Sequence, residues 1–525
     1  MVGSIKTNLY HFKEKVYICS ITGYVMLKKL RVLLAWVFWI GITLLFLDFT
    51  GALHAWLGWM AKIQLLPAIL ALNVGVIVAL ALLTLVCGRI YCSVICPLGV
   101  FQDGISHIGT KGKKTPYKYR KEIKWLRYGV LAVFVLLLVL GVQAAVALLA
   151  PYSAYGRIAQ NLFQPLYILG NNFFAWIAER AGSYAFYPRE VWIRSIPTFI
   201  IAVVTLVVIV VLAWKGGRTY CNSICPVGTT LGFLSRFAMF RPVIDKEKCV
   251  HCGLCERKCK AMCIDSANQR IDYSRCVDCF NCIEECHAGA LKYRFAWGKD
   301  SSAPLRSAQN DNKGASQNDK GRRAFMAGAV MAAGSLAMKG VTARAQGKKV
   351  DGGLTDIVPK VAPERDLPLT PPGSASIKDF YSKCTGCQLC VAECPNNVLR
   401  PSTDLERLMQ PEMSFEKGFC RPECTRCSQV CPTGAILPIS KEQKTQYHVG
   451  TARVNRTLCV AEKGVSCGKC AQMCPSGAIM MVESESGVNI PAVNEELCIG
   501  CGACEQYCPS RPISAITVNG KEVHV

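Results

Sequence analysis

The sequence predicts a membrane α-helical bundle followed by three small α+β modules. The 525 residues are 51% hydrophobic and their mean hydropathy is positive, and both properties are high for a soluble protein. Twenty-four of the 31 cysteines form six groups of four at short, repeated spacings. A chain of this length corresponds to about three or four domains. Hydropathy therefore predicts the bundle, and the cysteine groups predict the modules.

Four stretches are long and apolar enough to cross a bilayer. At a helical rise of ~1.5 Å per residue, about 20 residues cover a hydrocarbon core of ~30 Å. These stretches are 30–48, 66–86, 128–150 and 196–214. A more polar segment, 158–180, is expected to form an interfacial or loop helix rather than a span. Residues 1–242 are therefore expected to form a four-helix membrane domain.

Basic residues are distributed unevenly around these stretches. A dense basic run at 111–127 separates the second stretch from the third, and Lys28 and Lys29 precede the first. The loop between the first two stretches contains a single Lys or Arg, Lys62. Because cytoplasmic loops carry an excess of Lys and Arg, both ends of the bundle are expected in the cytoplasm.

The membrane domain contains one motif twice. GRIYCSVICPLG follows the second stretch and GRTYCNSICPVG follows the fourth, so that Cys92, Cys96, Cys221 and Cys225 lie at matching helix ends. One interpretation is a helix-ending turn in which the thiols are incidental. The other is a set of four thiolates at the membrane face that binds metal or carries out redox chemistry beside a quinone. The second interpretation makes these four cysteines the candidate catalytic residues.

Residues 243–297 contain two groups with the spacing Cys-x2-Cys-x2-Cys-x3-Cys. This spacing is typical of 4Fe–4S ferredoxins, in which the fourth cysteine of each group ligates the other cluster of a pair. The proline that usually follows the fourth cysteine is replaced by Lys260 and by His287, and Cys263 could replace Cys259 as a ligand. The candidate ligands are Cys249, Cys252 and Cys255 with Cys286, and Cys276, Cys279 and Cys282 with Cys259.

The middle of the chain combines a linker with a targeting signal. Residues 298–320 are polar and are expected to be disordered. Residues 321–346 contain Arg322-Arg323, a weakly apolar core and an Ala-Arg-Ala end, which is the order of a bacterial Tat-type export signal. If this signal is cleaved, the chain becomes two proteins; if it is retained, it would form a fifth span.

A second linker, 347–378, leads to two further dicluster modules at 379–440 and 441–525. Proline follows each fourth cysteine, and two spacings are non-standard, Cys420-x3-Cys424 and Cys459-x7-Cys467. The candidate ligands are Cys384, Cys387 and Cys390 with Cys431, Cys420, Cys424 and Cys427 with Cys394, Cys459, Cys467 and Cys470 with Cys508, and Cys498, Cys501 and Cys504 with Cys474. The predicted fold class is thus a membrane α-helical bundle of four spans, with a fifth candidate span, plus three α+β dicluster ferredoxin-like modules.

The formal charge of +24 does not indicate nucleic-acid binding. A 4Fe–4S core bound by four thiolates carries a charge of about −2, so six clusters would cancel about half of the excess. Much of the remaining Lys and Arg lies in the predicted cytoplasmic loops, and no aromatic-plus-basic motif is present. No nucleic-acid partner is expected.

At these motifs the chain resembles known families. The two Cys-x3-Cys-Pro repeats on four spans, with a cytoplasmic dicluster module, resemble the NapH membrane ferredoxins of periplasmic nitrate-reductase systems. The twin arginine, the four later cysteine groups and the seven-residue spacer after Cys459 resemble the NapG and MauM ferredoxins. In these families the two parts are separate polypeptides, whereas here they are joined. The resemblance implies iron–sulfur subunits of a quinol dehydrogenase.

The function expected from these motifs is membrane-bound electron transfer through six 4Fe–4S clusters. The first module would be cytoplasmic and the C-terminal modules periplasmic, and electrons would pass from the quinol pool to a periplasmic reductase or cytochrome. The sequence contains no flavin, haem, molybdenum or nucleotide motif, so no terminal substrate chemistry is expected. The alternatives are an accessory or maturation factor, or a redox sensor, for a respiratory metalloenzyme.

Overall fold

The computed structural model describes residues 26–48, 50–111, 117–183, 186–296, 349–350, 356–484 and 487–524. The predicted disordered linker at 298–320 and the predicted export signal at 321–346 lie outside these ranges. The described residues cover most of the predicted membrane domain and of the three modules.

The first part of the chain is helical. Its helices are α1 Met26–Leu47, α2 His54–Leu57, α3 Trp59–Lys62, α4 Leu65–Leu70, α5 Val74–Cys87, α6 Ile90–Val94, α7 Pro97–Thr110, α8 Lys124–Val139, α9 Gln143–Leu149, α10 Pro151–Ile158, α11 Gln164–Arg180, α12 Ile196–Gly216, α13 Thr219–Ser223 and α14 Pro226–Ser235. The helices α7 and α12 pack along each other, and α10 packs against both.

Within the described residues, two helices are long and apolar enough to cross a membrane, α1 and α12. The second and third predicted stretches are not single helices. The Asn73 side chain accepts a hydrogen bond from the backbone of Val76 at 3.3 Å and begins α5 anew after α4. Gly141, with a φ of 76°, separates α8 from α9. Hydropathy does not detect either break, because both result from local backbone chemistry.

The polar segment predicted at 158–180 is helical. A π-helical turn, Ala159–Phe163, joins α10 to α11 in one helical path. The polar residues of its first turns are buried rather than exposed, namely Arg157, Gln160, Asn161 and Gln164. This segment therefore packs inside the protein along part of its length.

The predicted dicluster ferredoxin-like modules follow. The first contains β1 Phe240–Ile244, α15 Leu254–Arg257, β2 Ile264–Asp265, β3 Arg270–Ile271, α16 Asn281–Glu284 and β4 Leu291–Phe295. After β5 Lys349–Val350 and β6 Asp356–Ile357, the second contains α17 Ile377–Lys383, α18 Leu389–Ala392, β7 Leu399–Pro401, β8 Pro411–Met413, α19 Arg426–Val430 and α20 Lys441–Lys444. The third contains β9 Gly450–Val454, α21 Lys469–Gln472, β10 Ile479–Glu483, β11 Asn489–Val493, α22 Ala503–Tyr507 and β12 Ile516–Gly520. Antiparallel pairs join β1 to β4, β2 to β3, β5 to β6, β7 to β8, β9 to β12 and β10 to β11.

The first and second modules pack against opposite ends of the helical bundle. At the first-module end, Lys28 at the start of α1 pairs with Glu284, and the backbone of Arg218 after α12 donates to Lys260 O at 3.0 Å. At the second-module end, Gln164 donates to Ala392 O at 3.3 Å. The third module packs on the second, where Cys420 N donates to Cys501 O at 2.9 Å.

Candidate iron–sulfur and thiol sites

Each of the six cysteine groups lies in a loop that enters a short helix. In four groups the residue after the second cysteine is left-handed: Gly253, Phe280, Gln388 and Gly502 have φ between 63° and 78°. The two groups with non-standard spacing have Thr425 and Gly468 there, with φ of −117° and −134°. In these two groups, which have the longer spacers, the backbone after the second cysteine is therefore not left-handed.

The structure brings the thiols together in the crossed sets that the spacing predicts. One cavity is lined by Cys249, Cys252, Cys255 and Cys286, and another by Cys459, Cys467, Cys470 and Cys508. Cys390 lies within electrostatic reach of Cys384, Cys387 and Cys431, and Cys427 within reach of Cys420, Cys424 and Cys394. Cys504 interacts in the same way with Cys498, Cys501 and Cys474.

The remaining cavity has five thiols in its wall instead of four. Cys259, Cys276, Cys279 and Cys282 line it together with Cys263. The Sγ atoms of Cys259 and Cys263 are 3.6 Å apart, and both residues are buried. The sequence leaves open which of the two is a ligand, and the structure places both at the same wall.

The donor sets fit 4Fe–4S clusters. Four soft thiolates suit iron–sulfur chemistry. Within the described residues no three His, Cys, Asp or Glu side chains converge on a single metal ion. A cubane holds its thiolates farther apart than one ion does. Burial raises the pKa of the Cys387 thiol to about 12, and because a metal deprotonates its thiol ligands, binding of a cluster here would release protons.

Hydrogen bonds to sulfur differ among the sets. Lys444 Nζ lies 3.2 Å from Cys420 Sγ. Backbone amides donate to sulfur in the third module, Ala452 N to Cys498 Sγ at 3.4 Å and Ala515 N to Cys508 Sγ at 3.3 Å. Such bonds raise the reduction potential of a cluster, because they stabilise its more negative, reduced state.

The two Cys-x3-Cys-Pro repeats interlock with each other. Arg89 of the first repeat donates to Cys221 O at 3.4 Å, and Arg218 of the second donates to Cys92 O. A Cβ on Gly99 would lie 2.3 Å from Cys92 O, and one on Gly228 would lie 2.3 Å from Cys221 O. The shared Gly-Arg and Pro-x-Gly of the motif therefore have matching structural roles.

All four repeat thiols, Cys92, Cys96, Cys221 and Cys225, are buried and within electrostatic reach of one another. Gln102 Nε2 lies 3.4 Å from Cys221 Sγ, and Arg89 Nη2 lies 3.7 Å from Cys92 Sγ. The sequence predicts a thiol group at a membrane face. The structure shows this group enclosed, with protein on both sides.

Contacts lead from the repeats towards both neighbouring modules. Towards the first module, Arg89 Nη1 donates to Ser274 O at 3.0 Å, and Asn222 Nδ2 to Ala261 O at 3.1 Å. In the other direction, Tyr220 donates to Leu149 O at 3.1 Å. The buried Arg157 lies within electrostatic reach of both Tyr220 and Cys387. The repeat thiols therefore lie between the first and second modules.

Comparison with known proteins identifies iron–sulfur domains in this chain. A model of a 4Fe–4S dicluster domain matches residues 383–435 and 463–511, and a model of a 4Fe–4S binding domain matches 69–116 and 197–244, the two thiol repeats. The ferredoxin-type protein NapF of Escherichia coli K12 is 32% identical over 157 residues, which are 30% of this chain and 87% of NapF. This chain belongs to the ferredoxin-type protein family of NapF.

Two further relatives of this ferredoxin-type chain match it over smaller shares of their own length. The methylamine utilization ferredoxin-type protein MauM of Methylobacillus flagellatus is 32% identical over 101 residues, 19% of this chain and 43% of MauM. The putative electron transport protein YccM of Escherichia coli K12 is 22% identical over 200 residues, 37% of this chain and 47% of YccM. The chain thus spans less than half the length of several curated relatives that it matches. No solved structure matches it.

Sequence reasoning missed an ionic centre in this ferredoxin-type protein. Asp103 binds Arg218 through two contacts of 2.7 Å, Arg31 at 2.6 Å, and Lys260. Burial alone would raise the pKa of Asp103, but these three cations hold it well below its usual range. Lys260 is the residue that replaces the usual proline, so its departure from the ferredoxin pattern serves module docking.

Sequence reasoning also missed two polar residues at the second-module end. Burial raises the pKa of the Glu393 carboxyl to about 8, and burial with the nearby Lys62 lowers the pKa of His54. His54 begins α2, whereas Glu393 follows α18. Nothing in their separate sequence contexts indicates that the fold brings them to one cavity.

Proposed function

We propose that this ferredoxin-type protein is a membrane-bound electron carrier that passes electrons from quinol to a periplasmic reductase or cytochrome. One observation carries the proposal. Two dicluster modules pack at opposite ends of the helical bundle, and four buried thiols lie between them. A carrier confined to one side of a membrane would not need this arrangement.

Six 4Fe–4S clusters would form a continuous path in this proposal. From the first module it runs from the set containing Cys286 to the set containing Cys259, and then through the repeat thiols to the set containing Cys384. Within the second module the set containing Cys394 follows, and the contact between Cys420 and Cys501 continues the path into the third module.

The membrane assignment uses four spans. In this proposal α1 and α12 cross as single helices, while the broken pairs α4–α5 and α8–α9 provide the second and third spans. The positive-inside rule then places the first module in the cytoplasm of a bacterium, and export through the Tat-type signal places the other two in the periplasm. Docking at opposite ends of the bundle is the contact pattern that this topology requires.

The thiol repeats would connect the two halves of the path. Their thiols would carry electrons or hold a metal centre, and Arg89 and Arg218 would balance the negative charge of thiolates in a buried site. This role needs all four cysteines, whereas a purely structural turn needs only Gly99, Gly228 and the prolines.

The test is reduction of the purified protein by quinol under anaerobic conditions. We expect about 24 iron atoms per chain and bleaching of the clusters in all three modules on addition of menadiol. In a variant with Ser at all four repeat cysteines, menadiol should reduce the clusters on one side of the thiols only. An iron content near 16 would reject six clusters, and an intact protein that no quinol reduces would reject the function.

A further inference from the structure

A cavity of about 400 Å³ lies where the loop after α1 meets the second module. Binding pockets for small organic molecules begin at about 300 Å³, so this cavity is large enough for a substituted aromatic ring. It is lined by Gly51, His54, Ala55, Gly58, Trp59, Lys62, Glu393, Arg426, Gln429 and Val430. Six of these ten residues come from the segment after α1, which includes α2 and α3, and four come from the second iron–sulfur module.

Two lining side chains have buried polar atoms without a hydrogen-bond partner among the described residues. The His54 ring bonds to the backbone of Gln429, while its Nδ1 has no partner. Both carboxyl oxygens of Glu393 also lack a hydrogen-bond partner among the described residues, and the residue is only 1% exposed. Unpaired buried polar atoms cost about 1–3 kcal/mol each, so a ligand that satisfies them is favoured.

The cavity adjoins both candidate cluster sites of the second module. Val430 directly precedes Cys431, which belongs to the set of Cys384, Cys387 and Cys390. Glu393 directly precedes Cys394, which belongs to the set of Cys420, Cys424 and Cys427. A molecule in this cavity would lie next to the thiolates of two different clusters.

The mouth of the cavity fits the border of a bilayer. It lies just beyond the end of α1, and Trp59 in its wall and the neighbouring Trp56 are 51% and 80% exposed. Exposed tryptophans are typical of the membrane–water interface. The outer face of α1 presents Leu33, Val37 and Ile40, which offers an apolar surface for a lipid tail.

We propose that this cavity is the quinol-oxidation site, in which His54 Nδ1 and a carboxyl oxygen of Glu393 each accept a hydrogen bond from one quinol hydroxyl. The inference rests on the proposed function and names the place where its substrate binds. Electrons from a quinol in this cavity would enter the second module directly. Electrons from a quinol at the repeat thiols would enter between the first and second modules.

The reaction balances with groups of this protein. Both O–H bonds of the quinol break, and the product is the quinone. One proton passes to the neutral His54 ring and the other leaves to water at the exposed mouth beside Lys62. The two electrons would leave singly to oxidised 4Fe–4S clusters held by the second module, one by the set of Cys384 and one by the set of Cys394.

The test compares two pocket variants with two matched controls in the full-length protein. His54→Ala removes the proton acceptor, and Ala55→Trp fills the cavity from an exposed position. We expect each to slow cluster reduction by menadiol at least about tenfold, since a positioned acid–base group contributes about 10²–10⁴-fold. Ala52→Trp in the same loop and His107→Ala on α7 should stay within about twofold of wild type.

Two further measurements separate the possible failures. Iron content and reduction by dithionite should be unchanged in all four variants, and calorimetric binding of menadione should be lost in Ala55→Trp. Wild-type rates in both pocket variants would overturn the site while leaving the quinol function intact. Loss of second-module reduction in the four-thiol variant would place quinol entry at the repeats instead. A wild-type protein that quinol does not reduce would reject the function itself.

Discussion

The two ends of the helical bundle hold their modules by different chemistry. At the first-module end, buried charges dominate: Asp103 is surrounded by Arg31, Arg218 and Lys260, and Arg127 donates to Ser274 O at 2.9 Å. At the second-module end, hydrogen bonds to neutral groups take their place: an amide pair in which Asn161 Nδ2 donates to Gln388 Oε1 at 2.8 Å, and a bond from the Arg194 guanidinium to Val391 O. The first interface is closed by ion pairs, whereas the second encloses a cavity.

This difference indicates a division of labour. Buried ion pairs are intolerant of displacement, because a lost partner leaves an uncompensated charge. They fix the first module and the repeat thiols in one geometry, as the electron path that we propose between them requires. The amide interface leaves His54 and Glu393 with unsatisfied atoms, as the quinol site that we propose requires.

The largest expected effect is at the closed interface. Asp103→Asn removes the charge that three buried cations share, so we expect about 3–5 kcal/mol of destabilisation. Urea unfolding of the protein in detergent, monitored at the first module, measures this loss. Asp245→Asn is the control, because its ion pair with Lys248 is exposed and should contribute less than about 1 kcal/mol.

The same carboxylate predicts the pH dependence of this interface. Its pKa is lowered in the folded protein, so the stability that it contributes is fully present above its unfolded pKa of about 3.9. That contribution should fall as pH drops below about 4, and the fall should be absent from Asp103→Asn. A pH profile of the variant that parallels wild type would contradict the role of Asp103.

A smaller effect is expected at the amide interface. Asn161→Ala and Gln388→Ala each leave one buried amide unsatisfied, which costs about 1–3 kcal/mol. In the double variant the coupling between the two should be about 1 kcal/mol, and the cycle cancels any backbone effect at the left-handed Gln388. Hydrogen exchange of α18 measures the opening of this interface.

Asn171→Ala, on α11 but at an exposed contact with Tyr187 O, provides the control and should leave α18 exchange unchanged. Additive effects of Asn161→Ala and Gln388→Ala would show that the amide contact does not hold the second module. The comparison of the two interfaces would then rest on packing alone.

Local chemistry was predictable from the sequence, and the interfaces were not. The first three thiols of each set follow from spacing, because they lie in one short segment, and the crossed fourth thiol follows from the ferredoxin pattern. The repeated Gly-Arg of the Cys-x3-Cys-Pro motif indicated a shared role for Arg89 and Arg218. Asp103 gave no such signal, since Arg218 and Lys260 are 115 and 157 residues away in the chain. The pairing of His54 with Glu393 in one cavity likewise depends on docking of the second module.

The smallest expected effect concerns the fifth thiol of the first module. Cys259 lies within electrostatic reach of Cys282, whereas Cys263 interacts with Cys259 and Cys276. We therefore expect Cys259 to be the ligand and Cys263 to be a neighbouring hydrogen-bond donor.

Cys259→Ser should lose about four iron atoms, because one cluster of the pair loses its fourth thiolate. Cys263→Ser should keep all of the iron, since a serine hydroxyl can still donate to the Cys259 sulfur, and should change the redox spectrum of that cluster only slightly. Iron analysis with electron paramagnetic resonance of the reduced protein distinguishes the two. Loss of iron in Cys263→Ser with full iron in Cys259→Ser would reverse the assignment, and the fourth ligand would then lie four residues beyond the ferredoxin position.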